Sequence, residues 1–250
     1  MIDVNHQINA VRRTVGTRVL EAAEARVVTV SQSYPTDAAD LWDACTNIER
    51  IPRWFRPISG DLKVGGSYQL EGHASGKILT CDPPGNFTAT WESGGNVSWI
   101  DVSISSDGPD RAQLVVEHVV DVDDENWREF GPGALGMGWD SMLLGLAIYL
   151  GTGEAIDPSF GQRWIVTEDG RRFLALSGEE WHAANVASGA DPATTRVLTD
   201  RCIKAYLGEQ YTRTRSSHAG LPEIFSTRCL TRHLSRLRGS PVTSMPPKRR

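Results

Sequence analysis

Residues 125–150 read ENWREFGPGALGMGWDSMLLGLAIYL, the longest nearly uninterrupted apolar stretch in the chain. Leu135, Trp139, Met142, Leu143, Leu146 and Leu150 recur at three- and four-residue steps, which aligns them on one face of a helix. That face must be buried. Gly131, Gly133, Gly136, Gly138 and Gly145 are costly inside a helix, so the segment is expected to start irregularly around Pro132 or to pack its backbone closely against a sheet. Asp140 is the only charge between Glu129 and Glu154, and it is expected to face solvent or a partner at the helix edge. A membrane span is not expected. A central Asp costs about 2.5–3.5 kcal/mol in lipid, and the uncharged run after it falls short of the roughly 20 residues a span needs.

Before this helix the sequence alternates short apolar runs with turn residues. Residues 25–34, ARVVTVSQSY, are β-branched and end at Pro35, as a strand does. Asp37 can cap a helix carrying Leu41 and Trp42, and Asn47 a second short one carrying Ile48, Ile51, Trp54 and Phe55. Six strand-like runs follow at 58–64, 67–72, 77–81, 87–92, 97–105 and 111–120. The expected turns between them include Gly65-Gly66, Gly76, Pro83-Pro84-Gly85 and Gly94-Gly95. The fold class is therefore α+β: a curved antiparallel sheet of about seven strands around a long C-terminal helix.

The flanks divide the chain further. Residues 1–24 form a lead-in, with Val4, Ile8, Val11 and Val15 at the spacing of a short amphipathic helix. The main domain spans 25–151. A helical extension covers 152–211, where Ser177 with Glu180 reads as a capping box and Asp191-Pro192 opens a helix that stops at Gly208. From 212 to 250 Pro, Ser and Arg dominate, which reads as a disordered basic tail.

Composition narrows the function classes. With 250 residues, 40% hydrophobic and 23% charged, the chain can bury a substantial core. No apolar signal segment follows the N-terminus, so the expected compartment is the cytoplasm. Cys45, Cys81, Cys202 and Cys229 are widely spaced without a CxxC pair, as reduced thiols are. Residues 213–250 carry a net charge of +8 within a total of −5, leaving −13 on the rest. That body repels nucleic acid, and only the tail could attract it. No Walker loop, GxSxG, HExxH or dinucleotide-binding glycine pattern occurs. No cofactor is implied.

Taken in order, Tyr34-Pro35-Thr36-Asp37, Leu41-Trp42-Asp43, Thr46-Asn47, Ile51-Pro52-Arg53-Trp54-Phe55, Gly65-Gly66, Cys81-Asp82-Pro83-Pro84 and Thr90-Trp91-Glu92 resemble the START-like or SRPBCC superfamily. Within it they are similar to the branch that includes the C-terminal domain of the activator of the 90-kDa heat-shock-protein (Hsp90) ATPase. The resemblance covers residues 25–150 and implies a helix-grip fold, whose sheet and long helix enclose a cavity for apolar ligands. It implies a binder of a small apolar or amphipathic molecule, for which catalysis is not required. Two other readings stay open: an enzyme resembling polyketide cyclases, and an interaction protein that modulates a chaperone through a protein partner.

The expected cavity residues are Trp54, Tyr68, Glu71, Trp91, Trp99, His118, Trp139, Met142 and Leu146. In LVVEHVV, alternation places Leu114, Val116, His118 and Val120 on one face. His118 is then either a polar contact or acid/base in the cavity, or a buried histidine satisfied by hydrogen bonds. His73 follows Glu71 at a two-residue step, but two ligands do not make a metal site. The tryptophans divide between plain packing and cavity wall.

Overall fold

The computed structural model describes residues 2–20 and 23–211. The basic tail expected at 212–250, Cys229 included, lies outside the described residues. Strands β1 (Arg12–Leu20), β2 (Ala23–Tyr34), β3 (Ile58–Gly60), β4 (Ser67–Leu70), β5 (Ala74–Asp82), β6 (Asn86–Ser93), β7 (Asn96–Ser106) and β8 (Ala112–Asp121) form one antiparallel sheet in the order β1-β2-β8-β7-β6-β5-β4-β3. All neighbours but one are consecutive in sequence. The exception, β2 beside β8, pairs Val28 with His118 and Val30 with Val116, and so sets the first and last parts of the domain side by side.

Helix α1 (Val4–Ala10) precedes the sheet. Helix α2 (Ala38–Thr46) is capped by Asp37, which accepts from the Asp40 amide at 2.8 Å, and a 3₁₀ turn at Ile51–Arg53 follows. Alternation along the strands decides the inner face: Leu114, Val116, His118 and Val120 of β8 are buried, as are Ser98, Ile100, Val102 and Ile104 of β7. The long apolar stretch packs across this face as two helices, α3 (Glu125–Phe130) and α4 (Gly133–Thr152), broken at Gly131-Pro132 where Gly131 takes φ 68°. By length and composition α4 could cross a membrane, but 67% of its most apolar 18-residue window is buried inside the protein. Its back is covered by α6 (Glu168–Ala187), with α7 (Pro192–Tyr206) alongside and the short α5 (Phe160–Trp164) before them. α4 and α6 approach closely at Gly136: a Cβ there would lie 2.0 Å from the Trp181 indole.

Several local expectations yield to tertiary partners. Residues 12–20 continue neither as helix nor as loose lead-in but as an eighth strand, because β2 offers them a full antiparallel register from Arg12↔Ser31 to Leu20↔Ala23. Gly76 is no turn but a strand residue, and a Cβ on it would meet the Thr90 carbonyl at 2.0 Å. Ser177 does not cap a helix. α6 starts nine residues earlier, where Thr167 accepts from the Gly170 amide at 3.1 Å.

The largest correction concerns Asp140, which is fully buried rather than at an exposed edge. Arg13 of β1 donates from Nε to both its oxygens at 3.0 and 3.1 Å, Trp181 Nε1 donates to it at 3.1 Å, and Ser177 donates its hydroxyl. Burial pushes this carboxyl up, while the guanidinium and the two other donors pull it back. The charge that looked peripheral is thus the point where β1, α4 and α6 are joined.

Candidate functional site

Between the sheet and α4 lies a cavity of about 140 Å3. Its floor is Ala89 and Trp91 of β6, Ile100 and Val102 of β7, and Leu114 and Val116 of β8. Trp139 and Met142 of α4 roof it, and Ile51, Trp54 and Phe55 close one side. Ala89 contributes only a methyl group to the floor and the space is left unfilled, whereas protein interiors are otherwise close-packed.

The few polar groups at the wall are already committed. Tyr68 donates to the Thr90 carbonyl at 2.7 Å, Thr46 to the Trp42 carbonyl at 2.7 Å, and Trp54 Nε1 to the Ala44 carbonyl at 2.9 Å. Burial raises the Tyr68 phenol, with Glu92 adding to it, and pushes the Cys45 thiol up to about 12, so both stay protonated at neutral pH. Such walls bind through shape and desolvation rather than charge. No group of three or more His, Cys, Asp or Glu among the described residues could hold a metal ion.

His118 sits one layer behind this wall, its ring edge-on to Trp91 and Trp139 at 5.9 Å each. Trp139 Nε1 donates to His118 Nδ1 at 3.1 Å, which places the ring proton on Nε2. Nε2 then donates to Ser98 Oγ at 2.8 Å, and Ser98 donates to the Trp91 carbonyl at 3.0 Å. Burial, with His73 nearby, pulls the imidazole down to about 3 and keeps it neutral. With both nitrogens occupied, it can exchange a proton with substrate only by breaking this chain.

His73 differs. It lies edge-on to Phe55 at 5.7 Å and to Trp91 at 5.3 Å, and neither ring nitrogen has a hydrogen-bond partner. Burial, with Arg56 nearby, lowers it to about 4. A second, larger cleft of about 410 Å3 adjoins the same region, between Leu144 and Gly145 of α4, Glu71 and Gly72, and residues 156–165. Phe173 and Leu174 of α6 form its base. The Ile156 amide, donating to the Arg53 carbonyl at 2.7 Å, ties this connection to the 3₁₀ turn.

Of the residues expected from sequence, Trp54, Tyr68, Trp91, Trp139 and Met142 stand together around the cavity. Trp99 does not: with Ser98 and Ile100 pointing inward, it falls on the opposite face against Ala25, Val27 and Val119. Leu146 is fully buried in solid packing beyond the cavity. Glu71 is exposed past the end of β4 and borders the second cleft, while His73 turns inward, so the two do not share a face. From sequence Phe55 belongs only to a short helix, and Ala89, Ile100 and Val102 carry no signal beyond strand alternation.

Residues 35–151 match the family model described as Activator of Hsp90 ATPase homolog 1-like protein. The solution structure of CalU16 from Micromonospora echinospora is 30% identical, with a TM-score of 0.59 over 72% of this chain and 97% of that one. The crystal structure of CalU16 gives 29% identity and 0.56 over 72% and 99%. An HSP90 activator from Plasmodium falciparum is 21% identical, with a TM-score of 0.45 over 50% and 96%. No curated protein matches the chain.

Proposed function

Because this chain belongs to the Activator of Hsp90 ATPase homolog 1-like family of the START-like superfamily, we propose that it binds a small apolar or amphipathic molecule in the cavity between its sheet and α4. The observation that carries this reading is a cavity left open in an otherwise packed core, walled by Trp54, Trp91, Trp139 and aliphatic side chains, whose polar groups already hold partners. An apolar cavity on the order of 150 Å3 stays dry and accepts a benzene-sized guest. The inner chamber, at about 140 Å3, therefore suits one aromatic ring or a compact bicycle. Binding without catalysis fits His118, which lies beside the wall and spends both its nitrogens on the scaffold. A chaperone-docking reading lacks comparable support: the exposed large aliphatics Val19, Ile48, Val64, Leu79, Val97, Val166 and Val197 are distributed over separate elements.

Naphthalene titration followed by tryptophan fluorescence tests the reading, because Trp91 and Trp139 form the wall. Saturable quenching or enhancement is expected in the parent and is lost in Ala89→Phe, which fills the floor while melting cooperatively. A parent that shows no saturable response overturns the proposal.

A further inference from the structure

We propose that the inner cavity and the adjoining cleft are two halves of one elongated site, joined when the Phe55 ring swings aside, with His73 as the polar contact at the junction. This rests on the ligand-binding reading above and names the class of ligand: a flat aromatic unit bearing a hydroxyl or carbonyl, continued by a bulkier, less apolar extension.

Three observations lead here. First, Trp54, Phe55 and Met142 line both spaces, so the partition is one side chain thick. Second, its members are held unequally. Trp54 is pinned by its indole N–H on the Ala44 carbonyl at 2.9 Å, whereas the Phe55 phenyl has no polar atom to anchor it and meets two other rings, stacked on Trp54 at 5.8 Å and edge-on to His73 at 5.7 Å. The Phe55 amide remains bonded to the Ile51 carbonyl at 3.0 Å, so rotation of the side chain between staggered rotamers opens the wall without moving the backbone. Met142, an unbranched thioether, adapts to either state.

Third, the ring that Phe55 covers is His73, whose two nitrogens are buried without a partner. Buried polar groups are nearly always paired, and an exception calls for an explanation. A neutral imidazole offers one donor and one acceptor, which matches a phenolic hydroxyl or a carbonyl delivered by a ligand. Beyond the junction the space widens from about 140 to about 410 Å3, walled by Phe160, Trp164 and Phe173, with exposed Glu71 and Gln162 at its border. The outer half therefore accepts a larger and more polar portion than the inner one.

Full-length protein, three probes and two substitutions test this. Naphthalene fits the inner half, 1-naphthol adds a hydroxyl, and N-phenyl-1-naphthylamine is long enough to cross the junction. Gly161→Trp, in the outer cleft, is expected to leave the naphthalene Kd unchanged and to weaken N-phenyl-1-naphthylamine at least tenfold; Gln162→Trp, at an exposed position, serves if the first variant does not melt cooperatively. His73→Phe preserves the ring packing and is expected to weaken 1-naphthol relative to naphthalene by up to about tenfold, the loss of one hydrogen bond. An outer-cleft variant that affects naphthalene and N-phenyl-1-naphthylamine alike, or neither, overturns the joined site. A 1-naphthol to naphthalene ratio unchanged by His73→Phe overturns the polar contact. Absence of naphthalene binding in the parent is a separate outcome, which removes the ligand-binding reading and this inference with it.

Discussion

The indole N–H of Trp139 donates to Nδ1 of His118 across 3.1 Å, joining α4 to β8 directly behind the cavity wall. Trp139→Phe keeps an aromatic ring in the wall, deletes this donor and shortens the side chain. It should leave a buried acceptor unpaired and cost about 1–3 kcal/mol. Urea denaturation measures the difference. A loss within about 0.5 kcal/mol, as at ordinary surface positions, would show that the bond is dispensable.

The two inner histidines predict how stability depends on pH. His118 is lowered to about 3 and His73 to about 4 from an ordinary 6.5, both chiefly by burial. A lowered folded pKa means that the unfolded chain binds the proton more readily. Stability from this source is therefore complete above about pH 6.5 and falls with acidification, at about 1.4 kcal/mol per pH unit for each histidine, until the folded group titrates. Urea melts at pH 7, 6 and 5 should show a shallower decline in His73→Phe than in the parent, by one proton's slope. Equal slopes would mean that His73 is solvated and not shielded by Phe55.

Asp140→Asn should be strongly destabilising, by about 3–5 kcal/mol, because it leaves the Arg13 guanidinium buried, with its side chain 3% exposed, and without a counter-charge. Replacing both partners by apolar residues, as in Arg13→Met with Asp140→Leu, is expected to recover part of that loss. Denaturant melts of the single and double variants form the necessary cycle. A single variant that melts like the parent would contradict the burial of this pair.

Leu146→Trp and Ala89→Phe should behave in opposite ways, although both enlarge a side chain between sheet and helix. Leu146 lies in solid packing, so the larger ring should cost about 1–3 kcal/mol through overpacking and leave naphthalene binding in place. Ala89 borders open space, so the phenyl should abolish binding at little cost. Paired melts and titrations decide it, and loss of binding in both variants would mean that the cavity extends past Met142 along α4.

Much of this architecture is legible in local pattern. Alternation in LVVEHVV already set Leu114 and Val116 on the face of His118, and those residues line or flank the cavity. Asp37 and Asp191 cap the helices they precede, because an Asx side chain accepts from amides within its own first turn. These interactions span a few residues, so composition and spacing suffice to find them.

Asp140 and Arg13, 127 residues apart, could not be paired that way. A carboxylate in an apolar helix reads as exposed until a buried guanidinium from a distant strand is brought to it, and Arg13 belongs to a strand only because β2 supplies a register. The same limit hid the cavity. Trp139, Met142 and Leu146 share one helical face and one apolar character, which the sequence alone determines. Whether that face meets a large residue or Ala89 across the gap is decided by β6 packing opposite α4, so only the tertiary structure separates the filled part of the core from the part left open.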